Sequence, residues 1–199
     1  HADIQMMSFT GSTRAGTAVT RDAADTVKRV TLELGGKSPN LVFADCDLEA
    51  QVIQSVAECM FNTVQSCDAP TRLLVERSCY DEAVAIARSA AEATAVGNPE
   101  EEGEHIGPLF DQIQFDRVQN MIQVGIDEGA TLVAGGPGRP DGFEKGWYVR
   151  PTIFADVNNS MRIAREEIFG PVLAIIPFDT EEDAVAISND TPYGLAAYV

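Results

Sequence analysis

Short apolar runs alternate along this chain with segments in which apolar residues recur every three or four positions. Such runs are typical of buried strands, and the recurring spacing is typical of helices that pack one face on a core. The runs predict strands at 4–10, 30–34, 40–43, 71–76, 131–134 and 172–178, and an extended segment at 147–157. The recurring spacing predicts helices at 13–28, 48–61, 81–96 and 111–128, with a last helix from 181 onwards. Strands that alternate with helices indicate an α/β fold with a mostly parallel sheet flanked by helices.

Polar residues and glycines mark the ends of several predicted helices. Asp47 is expected to cap the helix that follows it, and Thr180 opens a sequence that resembles a capping box. Gly129 is expected to end the helix at 111–128. The helix after Asp47 is predicted to present one apolar face, made of Leu48, Val52, Val56 and Met60 with Ile53, Ala57 and Phe61 alongside.

Composition places the chain among globular proteins and bears on its ligands. It has 199 residues, 45% of them hydrophobic and 23% charged, which allows one domain or one domain and part of another. Its 14 basic and 31 acidic residues give a net charge of −17, which disfavours a nucleic acid or an anionic membrane as a partner. An anionic cofactor is still compatible with this charge, because the backbone N–H groups at a helix N-terminus bind phosphate.

The cysteines and histidines do not suggest a disulfide framework or a metal site. The four cysteines are irregularly spaced and include no CxxC pair; they are Cys46, Cys59, Cys67 and Cys79. His1 and His105 are the only histidines, so a zinc site is not expected. These features favour a reducing, cytoplasmic setting.

Several familiar motifs are incomplete or missing. Gly35-Gly36-Lys37-Ser38 resembles the end of a phosphate-binding loop, but position 31 is threonine where that motif needs glycine. Neither GxGxxG nor GxSxG occurs. His105 lies in a predicted polar loop, so it is a poor partner for a catalytic cysteine.

Three positions combine reactive or ligand-binding chemistry with a suitable place in the predicted fold. Cys67 follows a helix in a loop, where it is either a core cysteine or a nucleophile toward a carbonyl. Glu33 ends a strand, where it is either an ordinary exposed glutamate or a general base. Gly11-Ser12 joins a strand to a helix, as either a plain turn or a site for a pyrophosphate. The residue types alone leave each pair of alternatives open.

Five strings taken together resemble the NAD(P)-dependent aldehyde dehydrogenase family. They occur in the family's order and with matching spacing along the whole chain. They are Phe9-Thr10-Gly11-Ser12, Leu32-Glu33-Leu34-Gly35-Gly36-Lys37-Ser38-Pro39, Phe61-Asn62-Thr63-Val64-Gln65-Ser66-Cys67, Glu166-Glu167-Ile168-Phe169-Gly170-Pro171-Val172 and Pro192-Tyr193-Gly194-Leu195-Ala196-Ala197.

The resemblance implies a role for each matching residue. It implies that Cys67 is the nucleophile and that Glu33 is the base that activates water. It also implies that NAD or NADP is the cofactor, held by Gly11, Ser12, Leu34, Glu167 and Phe169, with Glu167 and Phe169 at the nicotinamide end. The implied reaction converts an aldehyde into a carboxylic acid through a thioester on Cys67, with the oxyanion held by backbone N–H groups near Cys67 and a side-chain amide.

The resemblance also implies a place for this chain within a longer protein. Family members are more than twice as long, so the chain is expected to be an internal piece. Residues 1–33 would then be the C-terminal part of a dinucleotide-binding domain, and residues 34–199 a catalytic domain. The full-length protein is expected to oxidise the aldehyde and to form homo-oligomers, whereas this chain by itself is expected to be inactive in that oxidation. The alternative is a non-catalytic α/β scaffold or interaction module that retains the family core.

Two residues depart from the family pattern. Val64 stands where the family usually has glycine, which allows a backbone conformation that a β-branched residue adopts only at a cost. Asp68, beside Cys67, is also unusual, and its carboxylate is expected to disfavour the thiolate form of Cys67. Both departures are expected to lower activity.

Overall fold

The computed structural model describes residue 1 and residues 3–199, which contain two separate sheets. The smaller sheet pairs β1 (Met6–Thr10) in parallel with β2 (Arg29–Glu33), and α1 (Thr13–Ala24) connects the two strands. In this register Thr10 lies opposite Glu33. The turn into α1 and the segment after β2 therefore leave the same edge of the sheet.

The larger sheet has five strands in the order β3, β4, β7, β6, β5. Its strands are β3 (Pro39–Val42), β4 (Arg72–Glu76), β5 (Thr131–Ala134), β6 (Thr152–Ala155) and β7 (Val172–Phe178). Every neighbouring pair is parallel except β5 with β6 at one edge. The predicted α/β fold with a mostly parallel sheet is thus confirmed.

Helices cover both faces of the larger sheet. Side chains alternate along its strands, so apolar residues lie on each face and both faces need a layer of helices. In β7, Leu173 and Ile175 belong to one core with α2 (Leu48–Met60) and α3 (Tyr80–Ala93). Ala174 and Ile176 point into a second core on the opposite face. That second core is built with α4 (Gln112–Asp127), α5 (Arg162–Arg165) and α6 (Glu181–Asn189). Among residues 1 and 3–199, no helix combines the length and apolar character needed to cross a lipid bilayer.

The predicted helix caps form as expected. Asp47 accepts a hydrogen bond from the Ala50 N–H, and Thr180 accepts one from Asp183. Gly129 takes a φ of +89° just after α4, a conformation that glycine adopts without steric cost. These local signals fix where α2, α4 and α6 begin or end.

Some predicted boundaries were wrong. The first helix ends at Ala24 instead of residue 28, because Val27 takes a φ of +51° and the chain turns there into β2. The predicted extended segment 147–157 contains β6 (Thr152–Ala155), which pairs within the larger sheet. The short helix α5 was not predicted, since its four residues are too few to show a periodic pattern.

The prediction that residues 4–10 form a buried strand was also wrong. Ile4 and Met6 are each 48% exposed, because a sheet of two strands offers little neighbouring surface to cover them. The apolar face predicted for α2 is buried at Val52, Val56 and Met60. All three flanking members are exposed: Ala57, Ile53 at 47% and Phe61 at 73%.

A buried arginine joins several parts of the larger sheet and its helices. Arg72, at the start of β4, is 0% exposed. Its guanidinium donates hydrogen bonds of 2.9–3.0 Å to the Lys37, Ile187 and Ser188 carbonyls and to Asn159 Oδ1. Arg72 therefore ties the segment before β3 to the end of α6 and to the loop before α5.

Replacing Arg72 with methionine is expected to destabilise the chain strongly. The Arg72→Met variant leaves one buried and two half-buried carbonyl groups without this donor, which should lower the free energy of unfolding by at least about 3 kcal/mol. Urea unfolding monitored by circular dichroism measures this loss. The matched control is Arg88→Met, which removes an exposed arginine paired with Glu92 and should leave the midpoint nearly unchanged. Equal effects of the two substitutions would contradict the role given to Arg72.

Candidate active site

One cleft of about 490 Å³ collects residues that are far apart in the sequence. It lies where the segments after β1 and β2 meet the loop that follows α2 and the segment before β7. The structure places all seven sequence-predicted site residues along it: Gly11, Ser12, Glu33, Leu34, Cys67, Glu167 and Phe169. The fold thus brings the complete predicted set to one place.

The wall formed by the smaller sheet combines a helix N-terminus with an exposed carboxylate. The Gly11 N–H donates to the Glu33 carbonyl at 3.0 Å, which fixes the turn into α1. Ser12 caps α1 by accepting a hydrogen bond from the Ala15 N–H at 3.3 Å. The first turn of α1 has no acidic residue. Glu33 itself is exposed at the end of β2.

The opposite wall is the cysteine loop, residues 61–67, which has an unusual backbone. Asn62, Thr63 and Val64 have φ values of +50°, +57° and +59°, all in the left-handed region. Asparagine tolerates this conformation, but a β-branched side chain adopts it at a cost of about 1–2 kcal/mol. The backbone cost expected for Val64 from the sequence is therefore present in the fold, at a residue that is only 1% exposed.

Side-chain hydrogen bonds hold the cysteine loop against the 107–110 segment. The Thr63 hydroxyl is 3.1 Å from both the N–H and the carbonyl oxygen of Gly107. Gln65 Nε2 donates to the Pro108 carbonyl at 3.3 Å, and its Oε1 accepts from the Phe110 N–H at 3.1 Å. The position of Cys67 therefore depends on a segment more than forty residues away in the chain.

Cys67 is half-buried at the end of this loop and lies against the double glycine. A Cβ atom added to Gly36 would overlap the carbonyl oxygen of Cys67, so only glycine fits at position 36. The carboxylate of the neighbouring Asp68 accepts a hydrogen bond of 2.5 Å from the Ser66 hydroxyl. Asp68 is exposed, and its charge is partly satisfied by this contact.

Glu167 reaches the same double glycine from the other side of the cleft. Its Oε1 accepts a hydrogen bond from the Gly36 N–H at 3.2 Å, and a Cβ atom on Gly35 would overlap its carboxylate. The backbone around Glu167 is held from α4. Arg117 donates to its carbonyl at 2.5 Å, and Gln114 donates to the Phe169 carbonyl at 2.8 Å.

Burial changes the protonation of two groups behind this wall. Burial raises the pKa of the Glu167 carboxyl group, while the Gly36 N–H, Arg117 and Lys37 each oppose that rise. Lys37 is 2% exposed, and burial lowers its pKa to about 7, against the opposing effect of nearby Cys59, Glu167 and Glu166. The double glycine is therefore flanked by two groups whose charged forms are disfavoured.

The sequence did not single out several residues that line or support the cleft. Gln65 belongs to the Phe61–Cys67 string, yet nothing in that string indicates that its side chain binds residues 108 and 110. Gln114 and Arg117 donate hydrogen bonds to carbonyl groups of residues 167–169, which lie 50 to 55 residues further along the chain. No local pattern in the sequence marks either residue. Phe110 lines the cleft and is 70% exposed. Among the described residues, no group of three or more histidine, cysteine, aspartate or glutamate side chains is arranged to hold a metal ion.

Comparison with known families gives one match over the chain. The model of the aldehyde dehydrogenase family matches residues 1–199. A 3-succinoylsemialdehyde-pyridine dehydrogenase from a Pseudomonas species is 52% identical over all 199 residues. The chain spans 42% of the length of that curated relative.

Solved structures of similar proteins have the same fold. An aldehyde dehydrogenase from Bartonella henselae has a TM-score of 0.97 with 56% identity, over 100% of this chain and 41% of that one. An aldehyde dehydrogenase from Pseudomonas syringae, solved with NAD+ and octanal, has a TM-score of 0.97 with 54% identity, over 99% of this chain and 41% of that one. A Mycobacterium tuberculosis aldehyde dehydrogenase solved with NAD+ has a TM-score of 0.96 with 51% identity, over 99% and 41%.

Replacing Val64 with glycine is expected to cost less stability than the same change at a comparable valine. Val157 is the control, because it is 2% exposed, lies outside the helices and strands, and is not in the left-handed region. Both substitutions remove a buried side chain, but only Val64→Gly also relieves backbone strain. The loss of unfolding free energy should therefore be smaller for Val64→Gly by about 1–2 kcal/mol. Chemical denaturation compares the two, and an equal or larger loss at Val64 would show that its backbone is unstrained.

Replacing Asp68 with asparagine is expected to accelerate alkylation of Cys67 by iodoacetamide. Removing the carboxylate favours the reactive thiolate, and solvent screening should limit the gain to about twofold to threefold at low salt. Mass mapping gives the rate at each cysteine, and the gain should disappear in 1 M salt. The Asp45→Asn variant, which changes a carboxylate beside Cys46, should leave the rate at Cys67 unaltered. An unchanged rate in Asp68→Asn would mean that this carboxylate does not influence the sulfur.

Proposed function

Because this chain belongs to the aldehyde dehydrogenase family, we propose that the protein oxidises an aldehyde to a carboxylic acid, with NAD or NADP as cofactor. We propose Cys67 as the nucleophile and Glu33 as the general base. The observation that carries this proposal is the single cleft along which all seven expected residues lie.

The first role belongs to the Cys67 thiolate. Its sulfur attacks the aldehyde carbon, a C–S bond forms, and the carbonyl electrons move onto oxygen. Backbone N–H groups near Cys67 are suited to hold that oxyanion if their positions are fixed before the reaction. The hydrogen bonds of Thr63 and Gln65 to the 107–110 segment provide this fixation.

The cleft has the features that a dinucleotide requires. The N-terminus of α1, without an acidic residue in its first turn, suits a pyrophosphate. Glu167 offers a carboxylate to ribose hydroxyls from the far side of the cleft, and Phe169 lies beside it. Gly11 removes a side chain where the cofactor would approach the backbone. When bound, the cofactor supplies the acceptor for the hydride that leaves the substrate carbon.

The second role belongs to Glu33, which we propose activates the water that hydrolyses the thioester. The water oxygen attacks the thioester carbon while the Glu33 carboxylate takes the proton. The C–S bond then breaks, which releases the carboxylic acid and restores the Cys67 thiolate. Glu33 suits this role because its carboxyl group is exposed on the cleft wall, where water can reach it.

The substrate is proposed only as a small-molecule aldehyde. One relative is described as acting on a pyridine-bearing semialdehyde, and another was solved with octanal. These two aldehydes differ in polarity and shape, so they do not define a narrower class for this chain. Membership of the family supports the reaction type more strongly than any one substrate.

One observation favours the alternative, a non-catalytic scaffold that retains the family core. Val64 holds a left-handed conformation two residues before Ser66 and three before Cys67, where the family usually has glycine. If this strain displaces the sulfur, the chain keeps its fold and loses its chemistry. Acylation of Cys67 distinguishes the two proposals.

Three further expectations accompany this proposal. We propose that residues 1–33 belong to a dinucleotide-binding domain and that residues 34–199 form the cysteine-bearing catalytic domain; the two sheets fall on either side of this boundary. Homo-oligomer formation by the full-length protein and a cytoplasmic setting stay predictions.

The proposed roles predict different effects of two substitutions on acetyl transfer from p-nitrophenyl acetate. In this assay the sulfur bonds to the acetyl carbon and p-nitrophenolate leaves. Cys67→Ala should abolish the acetyl adduct at this position, whereas Glu33→Gln should still form the adduct and lose it at least about tenfold more slowly. Mass spectrometry of quenched samples follows the adduct.

The control for Glu33→Gln is Glu49→Gln, which changes an exposed glutamate in the first turn of α2. It should acquire and lose the adduct at the unmodified rate. A chain that is acetylated preferentially at Cys46 or Cys79, or not at all, would support the scaffold alternative.

A further inference from the structure

Gln65 ties the cysteine loop to the 107–110 segment through hydrogen bonds from its side chain to backbone groups only. Its Oε1 accepts from the Phe110 N–H at 3.1 Å, and its Nε2 donates to the carbonyls of Pro108 at 3.3 Å and Asn62 at 3.4 Å. We propose that Gln65 is a positioning residue, which sets the place of the Cys67 sulfur relative to the segment that carries Glu167 and Phe169. This inference rests on the proposed function of Cys67.

The chemistry at position 65 requires a neutral carboxamide. The Phe110 N–H needs an acceptor, while the Pro108 and Asn62 carbonyls need a donor. Glutamine provides both on one planar group. A carboxylate of the same shape would accept from Phe110 but would face two carbonyl oxygens without a proton to share.

Backbone strain in the cysteine loop favours a change of conformation when the hydrogen bonds of Gln65 are removed. Thr63 and Val64 are β-branched residues in the left-handed region, so the loop stores backbone strain next to Cys67. Gln65 follows directly after them and is held at both ends of its amide. Without these bonds the loop can relax, and the backbone N–H groups near Cys67 change direction.

The 107–110 segment is connected in turn to the segment that carries Glu167 and Phe169. Phe110 is followed by Asp111, whose carboxylate caps α4 through the Gln114 N–H at 2.7 Å. Gln114 then donates to the Phe169 carbonyl, and Arg117 donates to the Glu167 carbonyl. A continuous series of hydrogen bonds and one helix therefore runs from Gln65 to the residues proposed to face the cofactor.

The role of Gln65 differs from that of a catalytic residue. Both ends of its amide are engaged by backbone groups, so it acts on the reaction through the position of Cys67. Acylation depends on that position, because an oxyanion must meet fixed N–H groups. Alkylation by iodoacetamide depends only on an accessible thiolate. The ratio of the two rates at Cys67 thus reports position separately from exposure and thiolate fraction.

The experiment compares the acylation-to-alkylation ratio at Cys67 in the 199-residue chain and its variants, with p-nitrophenyl acetate and iodoacetamide as the probes. Gln65→Leu should lower the ratio at least about tenfold, since small misplacements of reacting groups cost large factors in rate. The matched control is Gln119→Leu. Gln119 makes the same two-way amide contact, to the N–H and carbonyl of Gly138 at 2.6 and 3.4 Å, away from the cleft. The control should keep the ratio within about twofold.

Gln65→Glu adds a pH profile that a general loss of stability would not produce. At pH 7.5 its carboxylate faces two carbonyl oxygens, and the ratio should fall. At lower pH the protonated carboxyl group regains a donor, so the ratio should recover as the pH approaches the ordinary pKa of glutamate, about 4.3. This variant also tests the inference if Gln65→Leu does not fold.

The outcomes separate the two proposals. If the unmodified chain is not acylated at Cys67, the proposed function fails and the role of Gln65 fails with it. If the unmodified chain is acylated, an unchanged ratio in Gln65→Leu or Gln65→Glu overturns the positioning role alone. An equal fall in Gln119→Leu would have the same consequence, because it would show that any lost amide bridge produces the effect.

Discussion

The cleft depends on the close approach of three chain segments at Gly35 and Gly36. The Cys67 carbonyl lies against Gly36 from one side, and the Glu167 carboxylate lies against both glycines and accepts the Gly36 N–H from the other. Any side chain at these positions would force the segments apart. Because Glu33 and Leu34 precede the glycines directly, the same constraint places the smaller sheet beside the nucleophile. The proposed base, nucleophile and cofactor-facing carboxylate are thus assembled around a backbone without side chains.

The larger sheet keeps this double glycine in place. Lys37 follows Gly36, and its carbonyl accepts a hydrogen bond from buried Arg72 at the start of β4. From there β3 continues into the sheet, where it pairs in parallel with β4. The Lys37 side chain next to the glycines is buried, and burial lowers its pKa to about 7. The nearby Glu167 carboxylate opposes this fall by favouring the charged ammonium form. The core therefore supports the site through backbone contacts, and the reactive groups stay at the cleft surface.

Local sequence signals predicted most of the helices and strands, whereas long-range contacts could not be predicted from them. The helix caps at Asp47, Thr180 and Gly129 involve residues close by in the sequence, so they could be predicted from the local sequence alone. The seven residues proposed for the site were chosen because they lie in strings that resemble a family, and the fold places them along one cleft. In contrast, the partners of Arg72 and Gln65 lie tens of residues away, and a residue's type does not specify such partners. The exposure of Met6 and Phe61 was missed for a related reason, since an apolar periodicity cannot show whether another element covers the face that it defines.

The strained turn before Cys67 is the place where these local and long-range effects meet. Two β-branched residues in the left-handed region cost about 2–4 kcal/mol together. The hydrogen bonds from Thr63 and Gln65 to the 107–110 segment contribute about 1 kcal/mol each, and burial of the Val64 side chain contributes about 1.5–3 kcal/mol. These contributions are similar in size to the cost, so the turn can persist with valine in place of glycine. A conformation that glycine would adopt without steric cost is held in this chain by a buried side chain and a distant loop, which makes the geometry of Cys67 depend on contacts outside its own segment.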